Sequence, residues 1–126
     1  MTTVREEPCQ ASLATTPGLA VLRGLFERLH AEGIRYCHWK SNEHLDASLL
    51  GTTDVDVLVE RRAIVSLTRI LGQTNFKRVV VQRGRGSPGI EDYVGFDSQT
   101  AALTHVHVHY QLTLGEKFLK GHRLPW

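Results

Sequence analysis

Cysteine, methionine and long apolar runs are all scarce in this chain, and each shortage removes a class of protein. Two cysteines, Cys9 and Cys37, cannot build a disulfide framework. The first stands in a polar N-terminal stretch and the second in an apolar strand pattern. No window of about 18 apolar residues occurs, so no segment reads as crossing a bilayer. The start MTTVREEPCQASLATTPGLA lacks both a basic opening and an apolar h-region. It does not read as a secretory signal, and the cytoplasm is the expected compartment. Charge of one sign is missing too: a formal net charge of +2 is too small to argue for a nucleic acid or a membrane. Internal repeats and low-complexity tracts are absent as well, which sets aside solenoids and arrays.

What remains is a chain of 126 residues, enough to bury one core. Residues 1–16, rich in Thr, Ser, Glu and Pro without periodicity, read as a flexible leader, and residues 17–126 as one domain. Leu19, Val21, Leu22, Leu25, Phe26 and Leu29 recur at helical spacing until Gly33 stops the run. Ile34 to Trp39 alternates as a strand. Ser41 is the expected N-cap of a short helix carrying Leu45, Leu49 and Leu50 and ending at Gly51. Residues 54–60 read as an apolar strand broken by two aspartates, and a second clear helix runs from Arg61 to Gly72. FKRVVVQR, residues 76–83, is a predicted strand, and the Gly-rich loop Gly84 to Gly89 follows. IEDYVGFDSQT and LTHVHVHYQL form a predicted hairpin turning near Ser98 to Ala101. After Leu114 comes a short basic helix stopping at Gly121. Phe118 and Leu119 in it need a partner beside the Leu-Pro-Trp ending, so a neighbouring chain or additional domain is expected. The order α-β-α-β-α-β-β-β, with strands gathered late, predicts an α/β (α+β) fold rather than a doubly wound sheet.

GTTDVDVLV carries the sharpest chemistry. Asp54 and Asp56 stand at i and i+2 on a strand and so share a face. An unpaired carboxylate is costly to bury among apolar residues, whereas two oxygen donors on a rigid element suit a hard divalent cation. A structural reading of the same pair has Asp54 capping the preceding turn and Asp56 pairing with an arginine. Removing both charges relieves mutual repulsion, so the double Asn variant is expected to keep or raise metal-free stability. Upstream, HWKSN places a hydroxyl and free N–H groups at a helix start, a natural phosphate cradle.

Together these features resemble the nucleotidyltransferase superfamily typified by DNA polymerase beta: a small-residue helix start, a spacer of this length, then Asp-x-Asp on the next strand. YCHWKSNEHLDASLLGTTDVDVLV, EDYVGFD, HVHVHYQL and LGEKFLKGHRLP are more specifically similar to a nucleotidyltransferase-like branch often found in longer multidomain proteins, some with a kinase-like P-loop. No GxxxxGK[ST] occurs here. The resemblance implies a nucleotidyltransferase-like mixed sheet with helices packed mainly on one face. It implies Mg²⁺ or Mn²⁺ on Asp54 and Asp56, with Ser41 and Lys40 at phosphate, Lys40 standing where the family prefers Gly. The implied ligand is a nucleoside triphosphate or phosphorylated small molecule, with in-line attack at the α-phosphorus; a nucleic acid is not expected.

The family's third acid would lie on the strand that here reads His105-Val106-His107-Val108-His109, which holds no Asp or Glu. Its three histidines share one face but span about 13 Å, too far for one ion to take all three easily. His107 is the expected histidine beside the metal, with Mn²⁺ or Zn²⁺ as softer alternatives, and His109 the expected substrate contact. A hydrogen-bonded polar face is the structural reading. Arg85, in RGRGSPG, is a candidate anion contact on a flexible loop. Glu91, Asp92 and Asp97 are weaker candidates, Asp97 being read first as a turn residue. Lys117, Lys120, His122 and Arg123 read as a solvated basic face, and Tyr36 and Trp39 as core. Two functions follow: a metal-dependent nucleotidyltransferase, or an inactive binding or partner-docking module of the same fold. A histidine-based metal-binding protein is a third reading.

Overall fold

The computed structural model describes residues 18–39, 42–80, 82, 89–114 and 122–123. Three helices, α1 (Ala20–Ala31), α2 (Leu45–Leu49) and α3 (Ile64–Gln73), alternate with strands β1 (Tyr36–His38), β2 (Val55–Val59) and β3 (Phe76–Arg78). The long hairpin β4 (Ile90–Asp97) and β5 (Ala102–His109) follows, then the small pair β6 (Thr113–Leu114) and β7 (His122–Arg123). The first five strands form one mixed sheet in the order β1-β2-β5-β4-β3. Only β2 and β5 run parallel; the other neighbours are antiparallel.

Periodicity explains which face is covered. Leu22, Leu25 and Leu29 of α1 and Leu67, Ile70 and Leu71 of α3 are buried against Val55, Val57, Val59, Val106 and Val108. Each such side chain contributes about 1.5–3 kcal/mol on leaving water. The alternate positions, 54, 56, 105, 107 and 109, therefore stand on the sheet's other face. The fold is a mixed α+β sandwich with α1 and α3 on one face, consistent with a nucleotidyltransferase-like α/β arrangement.

Local departures from expectation have local causes. The third strand is shorter than expected: it closes at Arg78, Val79 N–H bonds Asp92 O at 2.8 Å, and Val80 is exposed. The short helix opens as a 3-10 turn at Asn42–His44 before α2 begins. Its buried residue is Ser48, whose hydroxyl lies 3.0 Å from Asp54 O and 2.9 Å from Thr53 Oγ1. Gly51, at φ +78°, makes the turn between α2 and that aspartate, a backbone conformation open to few other residues. The basic helix expected over 115–121 lies outside the described residues; His122 and Arg123 sit in β7.

Candidate functional site

Register builds the site. Asp56 of β2 stands opposite His107 of β5, and His107 stands opposite Asp92 of β4. Asp54 immediately precedes β2, one row over, beside His105. Side chains then close the arrangement. His107 Nε2 lies 3.1 Å from Asp54 Oδ2, while its Nδ1 bonds Asp92 Oδ1 in a short contact. His105 Nδ1 lies 3.5 Å from Asp54 Oδ1 and its Nε2 3.7 Å from Asp92 Oδ1. The two imidazoles lie against each other, with centroids 4.2 Å apart. His109, buried, meets Asp56 separately at 3.0 Å between Nε2 and Oδ1.

Three acids and three imidazoles thus interleave on one sheet face. Burial pulls the His107 pKa down, but hydrogen bonds to Asp54 and Asp92, with the charges of Asp92 and Asp56, outweigh it and hold the value above the ordinary imidazole range. Among donor atoms, one each from Asp54, His105 and His107 lie within 4.8 Å of one another, close enough to surround a cation. Asp54 is the outermost, its side chain 56% exposed.

Asp54, Asp56, His107 and His109 are brought together on this face, whereas Lys40, Ser41 and Arg85 lie outside the described residues. Sequence reasoning puts His105 on the same face as His107 and His109 but gives it no ligand role of its own, and it ranks Asp92 among the weaker candidates. Alternation along IEDYV puts Asp92 on one face and Glu91 on the other, so the signal existed once the hairpin register was known. Glu91 belongs to the covered side, where it takes hydrogen bonds from Tyr93 (2.8 Å) and Tyr110 (3.3 Å) and a salt bridge from Arg78. Burial first, then the Glu91 charge, raises the Tyr110 pKa. Asp97 is indeed at the turn: Thr100 donates to it from backbone and hydroxyl, and Val21 N–H reaches it at 2.9 Å. Tyr36 stacks on Phe26 and His30 on the helical side, whereas Trp39 continues the β1 register opposite Asp56 through its N–H to Asp56 O. The Trp39 indole Nε1 is buried without a hydrogen-bond partner among the described residues.

No family model and no curated protein matches the sequence. A solved structure described as the polymerase core of TRAMP, a RNA surveillance complex, is similar over 78% of this chain at 18% identity and a TM-score of 0.39. This chain spans 31% of the length of that one. A likeness of this size carries no argument about function. Among the described residues, no helix is long and apolar enough to cross a membrane.

Proposed function

We propose that the sheet face opposite α1 and α3 binds a nucleoside triphosphate or a phosphorylated small molecule together with a divalent cation and, from the triphosphate, transfers a nucleotidyl group to a hydroxyl or phosphate acceptor. The observation carrying this reading is the convergence of Asp54, Asp56 and Asp92 with His105, His107 and His109 on that face. In such a transfer the acceptor oxygen bonds the α-phosphorus, the bridging bond to the β-phosphate breaks, and pyrophosphate leaves. Asp54, outermost, stands where an incoming ligand arrives first. His109 fixes the Asp56 carboxylate, and Asp92 fixes His107. Lys40, Ser41 and Arg85 are the proposed phosphate contacts, following the sequence resemblance.

The donor set does not suit the ion that the resemblance implies. Mg²⁺ prefers six oxygens at about 2.1 Å, whereas the converging atoms here come from one carboxylate and two imidazoles. No step is therefore assigned to Mg²⁺.

The test is a panel of nucleoside triphosphates titrated calorimetrically with and without divalent ions, with pyrophosphate release followed in parallel. Micromolar binding that Asp54→Asn weakens at least tenfold is the expected result. Absence of binding by every nucleotide and phosphate ester would sink the reading. The second reading, a binding module without turnover, is favoured by one specific feature: each acid on this face already has an imidazole partner. Binding without pyrophosphate release selects it.

A further inference from the structure

We infer that Asp54, His105 and His107 form a three-ligand site for a borderline transition ion of the Zn²⁺ type, with Asp92 as the residue that orients both imidazoles. The inference rests on the divalent-cation reading above and changes the class of ion. Its geometry is two-sided. Asp54 presents one oxygen to each ring, Oδ1 toward His105 Nδ1 at 3.5 Å and Oδ2 toward His107 Nε2 at 3.1 Å. Two donor atoms about 2.1 Å from a tetrahedrally coordinated ion stand about 3.4 Å apart. The two separations, each to a different Asp54 oxygen, bracket that spacing, and one donor atom from each of the three residues lies within 4.8 Å of the others.

The far side of each ring faces one carboxylate oxygen. Asp92 Oδ1 holds His107 Nδ1 by hydrogen bond and lies 3.7 Å from His105 Nε2. That second nitrogen is buried without a hydrogen-bond partner among the described residues. Metal-bound imidazoles characteristically donate their remaining N–H to a carboxylate, which fixes tautomer and ring angle. Here the carboxylate is already in place for one ring and a fraction of an ångström too far for the other. Ligation of His105 through Nδ1 would turn its Nε2–H onto Asp92 and satisfy the orphaned nitrogen.

Donor type selects the ion. Imidazole nitrogen suits Zn²⁺, Co²⁺ and Ni²⁺, while Mg²⁺ is held by carboxylate, carbonyl and water oxygens. Three protein ligands with an exposed carboxylate leave coordination positions open to solvent or to a phosphate oxygen, the pattern of a catalytic rather than a structural centre.

The experiment titrates the full chain with Zn²⁺, Co²⁺ and Mg²⁺ by calorimetry and records the visible spectrum of the Co²⁺ form, which reports coordination number. Zn²⁺ and Co²⁺ should bind at least 100-fold more tightly than Mg²⁺, with a four- or five-coordinate Co²⁺ spectrum. His105→Gln and Asp54→Asn should abolish this binding, while His44→Gln, an exposed histidine elsewhere, should leave it unchanged. Asp92→Asn should weaken Zn²⁺ by 10- to 100-fold and shift the Co²⁺ spectrum, as expected of a positioning residue. Circular dichroism checks that each variant is folded; should His105→Gln not be, His105→Asn replaces it, and Asp54→Ser and Asp92→Ser serve in the same way for the two acids. Mg²⁺ binding as tight as Zn²⁺ and lost in Asp56→Asn but not in His105→Gln overturns the inference and leaves the proposed function standing. Nucleotide binding with no affinity for any divalent ion also overturns it. Failure of both nucleotide and metal to bind removes the two together.

Discussion

Asp54 and Asp56 are two residues apart and held quite differently. Asp56 accepts from the Nε2 of His109, a residue 2% exposed whose Nδ1 has no partner among the described residues. Removing that carboxylate leaves a buried imidazole without a hydrogen bond from the described residues on either nitrogen, at a cost of about 1–3 kcal/mol. Asp56→Ala should therefore lower the unfolding free energy by that amount in urea titration. Asp54 is a little over half exposed, and its imidazole partners are themselves partly exposed, so Asp54→Ala should cost about 0.5 kcal/mol or less. Equal losses in the two variants would contradict the separate roles given to His107 and His109. Sequence reasoning alone expects stability to hold or rise when these charges go, because like charges repel. The His109 contact predicts the opposite sign at Asp56. Gly95 offers a second single-residue test. A Cβ there would meet the Phe76 ring at 2.4 Å, and Phe76 is fully buried. Gly95→Ala should destabilise by about 1–3 kcal/mol, and adding Phe76→Leu should recover part of the loss.

At the scale of elements, α1 begins without a capping side chain of its own; Leu19 occupies the N-cap. The end of β4 supplies one instead, since Asp97 Oδ1 accepts from Val21 N–H. Hydrogen bonds from Thr100 and from Val21 hold the Asp97 carboxyl below its ordinary value. A depressed carboxyl contributes stability that is complete above the unfolded value, about 3.9, and is lost as pH falls through the folded one. The Tm deficit of Asp97→Asn should thus stay constant from pH 7 to 5 and shrink below pH 4; a deficit unchanged at pH 3 would refute the charge-based cap. Elements themselves were legible in the sequence wherever periodicity was long: α1, α3, β2 and the β4–β5 hairpin all fall where the apolar pattern puts them. Pairing between elements was not. Whether Asp92 or Glu91 joins the histidines depends on the hairpin register, which a turn ending in Ala101 at φ +56° sets. Which histidine meets which aspartate depends on the parallel stagger of β2 against β5, strands far apart in the chain. Ser48, which pins the Asp54 backbone, looks in sequence like any helical serine.

Taken as a whole, the sheet has a strong centre and short margins. β5 is paired along both sides, whereas β1 and β3 are three-residue edges. Hydrogen exchange should proceed last in 102–109 and first in 36–38 and 76–80, since protection follows cooperative burial rather than helix or strand type. Uniform exchange across the five strands would show that the sheet opens as one unit.

The row of acids and imidazoles draws on β2, β4 and β5, so it exists only while those three strands are assembled. Occupancy and folding are therefore one linked equilibrium: a ligand at a hundred times its dissociation constant adds about 2.7 kcal/mol to the stability of the whole domain. The melting temperature becomes a gauge of what this face recognises, and compounds can be ranked by thermal shift before any reaction is known.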